Sequence, residues 1–148
     1  VQTPYLLPTE PILVALKTVA LAGVDVRIMI PEKSDSQAIH WGTLSYLSEL
    51  MEAGVKIYMY KKGFLHSKLM VSDDCLATVG STNMDFRSFE SNFEINAFMY
   101  DRTSALKLKD VFLSDQKDAK LIHLGKWHMR PWSQKVKESV IRLFAPLL

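Results

Sequence analysis

His66 and Lys68 stand two residues apart, so in an extended segment both side chains project to one face and can reach a common anion. An imidazole supplies a nucleophile or a proton donor, and a fixed ammonium holds non-bridging oxygens. Together they suit attack on a phosphodiester. Further along comes Gly80-Ser81-Thr82-Asn83, where a glycine lets backbone approach a ligand and the Ser81 hydroxyl and Asn83 amide can donate to the same phosphate. Asp73 is an odd number of residues from both His66 and Lys68 and sits in the polar turn Ser72-Asp73-Asp74, so it reads as structural.

The elements that must position these residues follow from periodicity. Ile12, Leu13, Leu16, Val19 and Ala20 recur at helical spacing from Glu10, with Pro11 suited to a first turn and Gly23 to a C-terminal cap. Val24, Val26, Ile28 and Ile30 then alternate with other residues as a strand requires, and Pro31 ends the run. A second helix, capped by Ser34 or Ser36, carries Ile39, Leu44, Leu47, Leu50 and Met51 up to Gly54. The strand Val55 to Tyr60 begins as the first did, because Ala53-Gly54-Val55 echoes Ala22-Gly23-Val24 one βαβ unit earlier. These two strands are expected to pair in parallel through the helical crossover. Leu65 to Val71 and Cys75 to Val79 read as a hairpin, and Phe93, Ile95, Ala97 and Met99 alternate as a further strand. Thr103 to Gln116 and Ser133 to Phe144 read as helices. No linker divides the chain, and the expectation for residues 1–148 is one α/β sandwich, a mixed sheet flanked by helices.

The run His66-Ser67-Lys68-Leu69-Met70-Val71-Ser72-Asp73, followed after six residues by Gly80-Ser81-Thr82-Asn83, resembles the signature of the phospholipase D superfamily. The continuation Asn83-Met84-Asp85-Phe86-Arg87-Ser88, then Asn92-Phe93-Glu94-Ile95-Asn96, resembles the bacterial cardiolipin synthase family in particular, as does Thr3-Pro4-Tyr5. Members of that family carry two such signatures and this chain has one, so it resembles a C-terminal catalytic half of a longer, membrane-anchored enzyme. The resemblance implies a phospholipase D-like fold and transfer of a phosphatidyl group between two phosphatidylglycerol molecules with release of glycerol. Phospholipase D-type hydrolysis, nuclease activity, or a half that is inactive alone are the alternatives. His66 would then be one of two histidines facing each other across the halves, here given the acid/base role. Lys68 and Asn83 would bind phosphate, Ser81 would be a further phosphate contact, and Gly80 and Asp73 would be structural, Asp73 as an ion partner. Glu94 would sit behind the histidine and accept its other ring proton, fixing its tautomer. The partners implied are anionic phospholipids and either the first catalytic half or a second copy of this chain. No cofactor or metal is implied, and full-length relatives would reside at the bacterial cytoplasmic membrane.

Composition narrows the alternatives. Across 148 residues, 48% hydrophobic and 23% charged, the chain can bury a core without staples. The single Cys75 excludes an internal disulfide. A net charge of +2 is too nearly balanced to indicate a polynucleotide groove and disfavours the nuclease alternative without excluding it, so no nucleic-acid partner is expected and any anion site is local. The longest apolar runs fall well below the roughly 20 residues of a membrane span, and Val1-Gln2-Thr3-Pro4-Tyr5 lacks the features of a secretory signal, giving the expectation of a soluble piece of something longer. His40, His123 and His128 lie in no cluster at metal-ligand spacing and read as surface or core histidines. Lys61-Lys62 beside Gly63-Phe64-Leu65 suits either contact with lipid headgroups or a solvated loop.

Overall fold

The computed structural model of the protein describes residues 1–147. Strand β1 (Leu6–Leu7) leads into helix α1 (Glu10–Leu21), with Pro11 in its first turn, and then into β2 (Arg27–Pro31). Helix α2 (Gln37–Glu52) follows, its N-terminus capped by Ser36, whose Oγ accepts from the Ile39 amide, and β3 (Lys56–Tyr60) comes next. Both helices end in one motif. Gly23 and Gly54 adopt φ of +92° and +101°, and the amides of Val24 and Val55 reach back to the carbonyls of Val19 and Leu50. This is the Schellman closure, and the repeated Ala-Gly-Val is its sequence trace.

The hairpin of β4 (Leu69–Ser72) and β5 (Leu76–Gly80) turns through Asp73 and Asp74, both at positive φ, as a tight right-twisted hairpin demands. Next come β6 (Met84–Asp85), α3 (Phe86–Glu90), β7 (Asn96–Met99), α4 (Arg102–Gln116), β8 (Ala119–Leu121), α5 (Leu124–His128) and α6 (Trp132–Arg142), with a 3₁₀ turn at Ala145–Leu147. Strands β2 and β3 are parallel, as expected from the repeated unit, while β8 is antiparallel to β3 and β4-β5-β7 is antiparallel throughout. Gln2 joins the two halves of the sheet. Its amide donates to Leu69 O at 2.7 Å and its carbonyl accepts from Leu69 N, while on the other side Met29 N donates to Val1 O and Thr3 N donates to Met29 O. The resulting mixed sheet runs β8-β3-β2-Gln2-β4-β5-β7.

Alternation on β2 and β3 divides the core. Ile28, Ile30, Ile57 and Met59 face α1 and α2, with Leu13, Leu47 and Leu50 buried against them. Met29 and Tyr58 face the other way, onto Phe112 and Leu108 of α4. Helices therefore cover both faces, which is the expected layered α/β architecture. Several expected boundaries contract: the first strand starts at Arg27 and not Val24, β4 at Leu69 and not Leu65, and β7 at Asn96 and not Phe93. His66 and Lys68 consequently lie in irregular backbone entering β4.

Candidate active site

The site gathers at the end of the sheet where the chain enters β4, leaves β5 and enters β7. Lys68 folds back so that its ammonium lies 3.3 and 3.2 Å from His66 Nδ1 and Nε2 and donates to the His66 carbonyl at 3.0 Å. The expected partnership thus forms, although through a local fold-back and not through strand parity. The His66 ring also packs against Phe64, with centroids 5.5 Å apart. Burial lowers the Lys68 pKa from its ordinary value, and the charges of Glu94 and Asp85 pull it the other way.

Glu94 is held differently from the expectation. It makes no hydrogen bond to His66; the Ser81 hydroxyl donates to its Oε2, and Asn92 Nδ2 donates to Oε1 at 3.3 Å. The Ser81 hydrogen bond is the main cause of a Glu94 pKa below the usual carboxylate value, with Ser88, Asn92 and the Lys68 charge adding to it. The physical reason for the misplacement is the contraction of β7. Residues 93–95 leave the ladder, and Ile95 N instead donates to Ser81 Oγ at 3.0 Å while Ser81 N donates to Ile95 O at 2.9 Å, so Glu94 is tied to the loop after β5.

Asn83 is fixed through its backbone, whose amide donates to Ser88 Oγ at 3.1 Å. Its side-chain Oδ1 is buried without a partner, and among the described residues it is the one side-chain polar atom left so. An orphan of this kind costs about 1–3 kcal/mol, and such a cost is recovered when a ligand or partner supplies a donor. Gly80 is sterically required. A Cβ there would lie 2.0 Å from Asn96 Oδ1 and 2.2 Å from Ile95 O, so only glycine lets β7 approach this closely. Asp73 lies at the far end of the hairpin, accepting from the Ser72 hydroxyl at 2.9 Å; the ion pair expected of it belongs to its neighbour, with Lys109 Nζ 2.6 Å from Asp74.

Three supporting residues escaped the sequence reading. Ser88, buried in α3, accepts from Asn83 N through its hydroxyl, and its own amide donates to the Asp85 carboxylate at 2.7 Å. Buried Gln2 accepts from the Ser67 hydroxyl at 2.8 Å and donates to Asp115 at 2.8 Å, anchoring the residue between His66 and Lys68. Thr3 Oγ1 accepts from Met84 N at 3.2 Å, fixing the segment after Asn83. Ser88 lies within the quoted Asn83–Ser88 stretch, which was a usable signal, whereas nothing in a lone glutamine announces a hub.

The family described as the phospholipase D-like domain of cardiolipin synthase matches residues 1–116. The chain belongs to that family. It is 48% identical over all 148 residues to cardiolipin synthase 2 of Bacillus anthracis and 51% identical to a cardiolipin synthase of Geobacillus, but spans only 29% and 30% of their lengths. The major cardiolipin synthase of Bacillus subtilis is 45% identical over the whole chain, which covers 31% of it. Among solved structures, a phospholipase D family member from Salmonella typhimurium, Nuc, superposes with TM-score 0.69 at 19% identity, covering 82% of this chain and 79% of that one. Phosphatidylserine synthase of Haemophilus influenzae gives 0.75 at 16% identity, covering 99% of this chain and 40% of that one. The phospholipase D-like fold is therefore shared by this family member across nearly its whole length.

Proposed function

We propose that this chain is one catalytic half, the C-terminal one, of a phosphatidyltransferase that moves a phosphatidyl group from one phosphatidylglycerol to another and releases glycerol. The observation that carries the reading is the His66–Lys68 contact at an open rim, near Glu94, whose hydrogen bonds come from Ser81 and Asn92 and not from His66. Family membership, with relatives named cardiolipin synthase, supplies the substrate class.

In this reading a histidine of the other half attacks phosphorus through a ring nitrogen, and the bond from phosphorus to the glycerol oxygen breaks. His66, protonated, gives its proton to that departing oxygen and becomes neutral. The hydroxyl of a second phosphatidylglycerol then yields its proton to His66 as it attacks the phosphohistidine, and the P–N bond breaks. Lys68 holds the non-bridging oxygens throughout, Ser81 and Asn83 contribute from the loop after β5, and no metal or cofactor takes part. Glu94 faces outward among neutral donors, which suits it to orient the histidine of the partner half.

The test uses the intact two-half protein and vesicles containing phosphatidylglycerol. His66→Ala should remove most cardiolipin formation while leaving the circular dichroism spectrum and melting temperature unchanged. Undiminished turnover would defeat the role given to His66, and release of phosphatidic acid in place of cardiolipin would move the reading to a hydrolase.

A further inference from the structure

The charge of this chain is unevenly distributed. Residues 119–148 contain six lysines and arginines against the single acid Glu138, a net of +5, which leaves residues 1–118 at −3 within the total of +2. The basic segment contains α5 and α6 and lies outside the 1–116 region that the family description matches.

The same segment presents an apolar stripe to solvent. Trp132, Val136, Val140 and Leu143 fall within an arc of about 80° on a helix of 3.6 residues per turn, and all four are exposed, Trp132 by 76% and Leu143 by 79%. Met129 before the helix and Leu147 after it are equally open. The opposite face is fixed in place. Buried Glu138 receives a bidentate pair from Arg130 at 2.5 and 3.0 Å, Arg130 stacks over the Trp127 ring, and Ala145 joins the core. Helix α6 packs on α2, which itself packs on β1 and β3, so the stripe belongs to an outer layer separated from the sheet.

Lysines border the stripe on both sides. Lys135 and Lys137 project from opposite flanks of α6, and Lys126 lies in α5. All three are exposed; Lys135 Nζ donates to the His128 carbonyl at 2.8 Å and Lys137 lies 5.6 Å over the Trp41 ring, and among the described residues none has a carboxylate within ion-pair distance, so the positive charge is not neutralised. An unpartnered apolar face rimmed by ammonium groups that no carboxylate neutralises, and carrying an exposed tryptophan, has the chemistry of a helix lying in a bilayer interface. The other open apolar group, Phe93, Ile95, Phe98 and Tyr100, differs from it. It lies along β7 beside the carboxylates of Glu94 and Asp101, an acidic setting that an anionic lipid surface does not match and a protein partner can.

We propose that the outer face of α6, from Met129 to Leu147, seats this chain on an anionic phospholipid surface, with the stripe entering the interface and Lys126, Lys135 and Lys137 meeting headgroup phosphates. The assignment goes beyond the catalytic reading and does not depend on it.

Flotation of the 148-residue chain with vesicles tests it, using phosphatidylglycerol–phosphatidylcholine mixtures against pure phosphatidylcholine. Binding to the anionic vesicles is expected, with a blue shift of tryptophan emission that Trp132→Phe abolishes. Trp132→Ser with Val136→Ser and Leu143→Ser should weaken vesicle binding by about tenfold or more, because interfacial binding scales with buried apolar area. Lys135→Glu with Lys137→Glu should remove the preference for anionic over neutral vesicles. All these positions are on the outer face, and an unchanged circular dichroism spectrum confirms that each variant is folded. His66→Ala and Lys68→Ala should leave vesicle binding as it is, which separates this surface from capture of phosphatidylglycerol in the active site. The proposal is overturned if the chain fails to float with anionic vesicles, if the stripe variants bind as well as the parent, or if they change only a self-association seen by light scattering.

Discussion

At the scale of single residues, the site is a set of loop residues held by side chains that do no chemistry themselves. Ser88 illustrates the dependence: its hydroxyl accepts from Asn83 N, so Ser88→Ala leaves a backbone donor without its partner. The expected outcome is a loss of about 1–2 kcal/mol in denaturant unfolding, together with weaker phosphate or sulfate binding by calorimetry. A variant that binds anions as the parent does would show that Asn83 needs no such anchor. Gly80→Ala should cost more, about 2–3 kcal/mol, because overpacking here meets backbone, Ile95 O at 2.2 Å and Asn96 Cα of β7 at 2.6 Å, and not a movable side-chain tip alone. His66, Lys68 and the Gly80–Asn83 loop were legible as types and spacings in the sequence. The orientation of Glu94 was not, because the start of β7 at Asn96, three residues later than Phe93, decides which neighbour Glu94 meets, and alternation of Phe93, Ile95, Ala97 and Met99 conceals where pairing stops.

At the scale of elements, legibility followed length and punctuation. The two Schellman glycines were visible because only glycine takes their φ cheaply, and Gly54→Ala should lower stability by about 1 kcal/mol through that strain, with no clash to add to it. Strands of two or three residues such as β1, β6 and β8 carry no periodicity to read, and Gln2 sits in the middle of the sheet as a polar residue whose hydrogen bonds, not its hydropathy, place it there. The parallel pair β2–β3 carries a charge device at its start. Asp25 lies 2.6 Å from Arg27 and 2.8 Å from Lys56, and the hydrogen bonds from these two hold its pKa at about 2, below the ordinary 3.8. A depressed carboxylate pKa contributes stability above the unfolded value and loses it as pH falls through the folded one. Asp25→Asn should therefore be less stable by about 0.5–1 kcal/mol at pH 7, a modest figure because the group is exposed and screened. The gap between variant and parent should close as the pH is lowered from about 4 to about 2, and thermal melts at the two ends of that range would show it.

At the scale of the molecule, the chain spans about three tenths of its relatives' length, and the rim of the candidate site is open. Phe93 and Ile95 flank Glu94 with their side chains almost entirely in solvent, Phe93 at 107% and Ile95 at 81% exposure, and Asn83 Oδ1 is buried without a donor close by. An open apolar rim and a buried acceptor left without a donor are the features of a surface completed by another chain segment. The proposed phosphohistidine mechanism needs two imidazoles, and His40, His123 and His128 stand elsewhere, on or beside α2 and α5, with His128 Nε2 3.3 Å from Glu52. The 148-residue chain as a demonstrated monomer should therefore form almost no cardiolipin from phosphatidylglycerol, and activity should appear when the other catalytic half is supplied or when two copies pair. Phe93→Asp with Ile95→Asp provides the discriminating variant. Because both side chains are exposed in the isolated chain, the double change should alter its own stability by no more than about 0.5 kcal/mol. In the paired state it should place two carboxylates in an apolar contact and abolish complementation, which light scattering and a cardiolipin assay on the same sample would report together. Robust turnover by the monomer would overturn the two-histidine reading. Complementation that survives both aspartates would place the pairing surface away from β7.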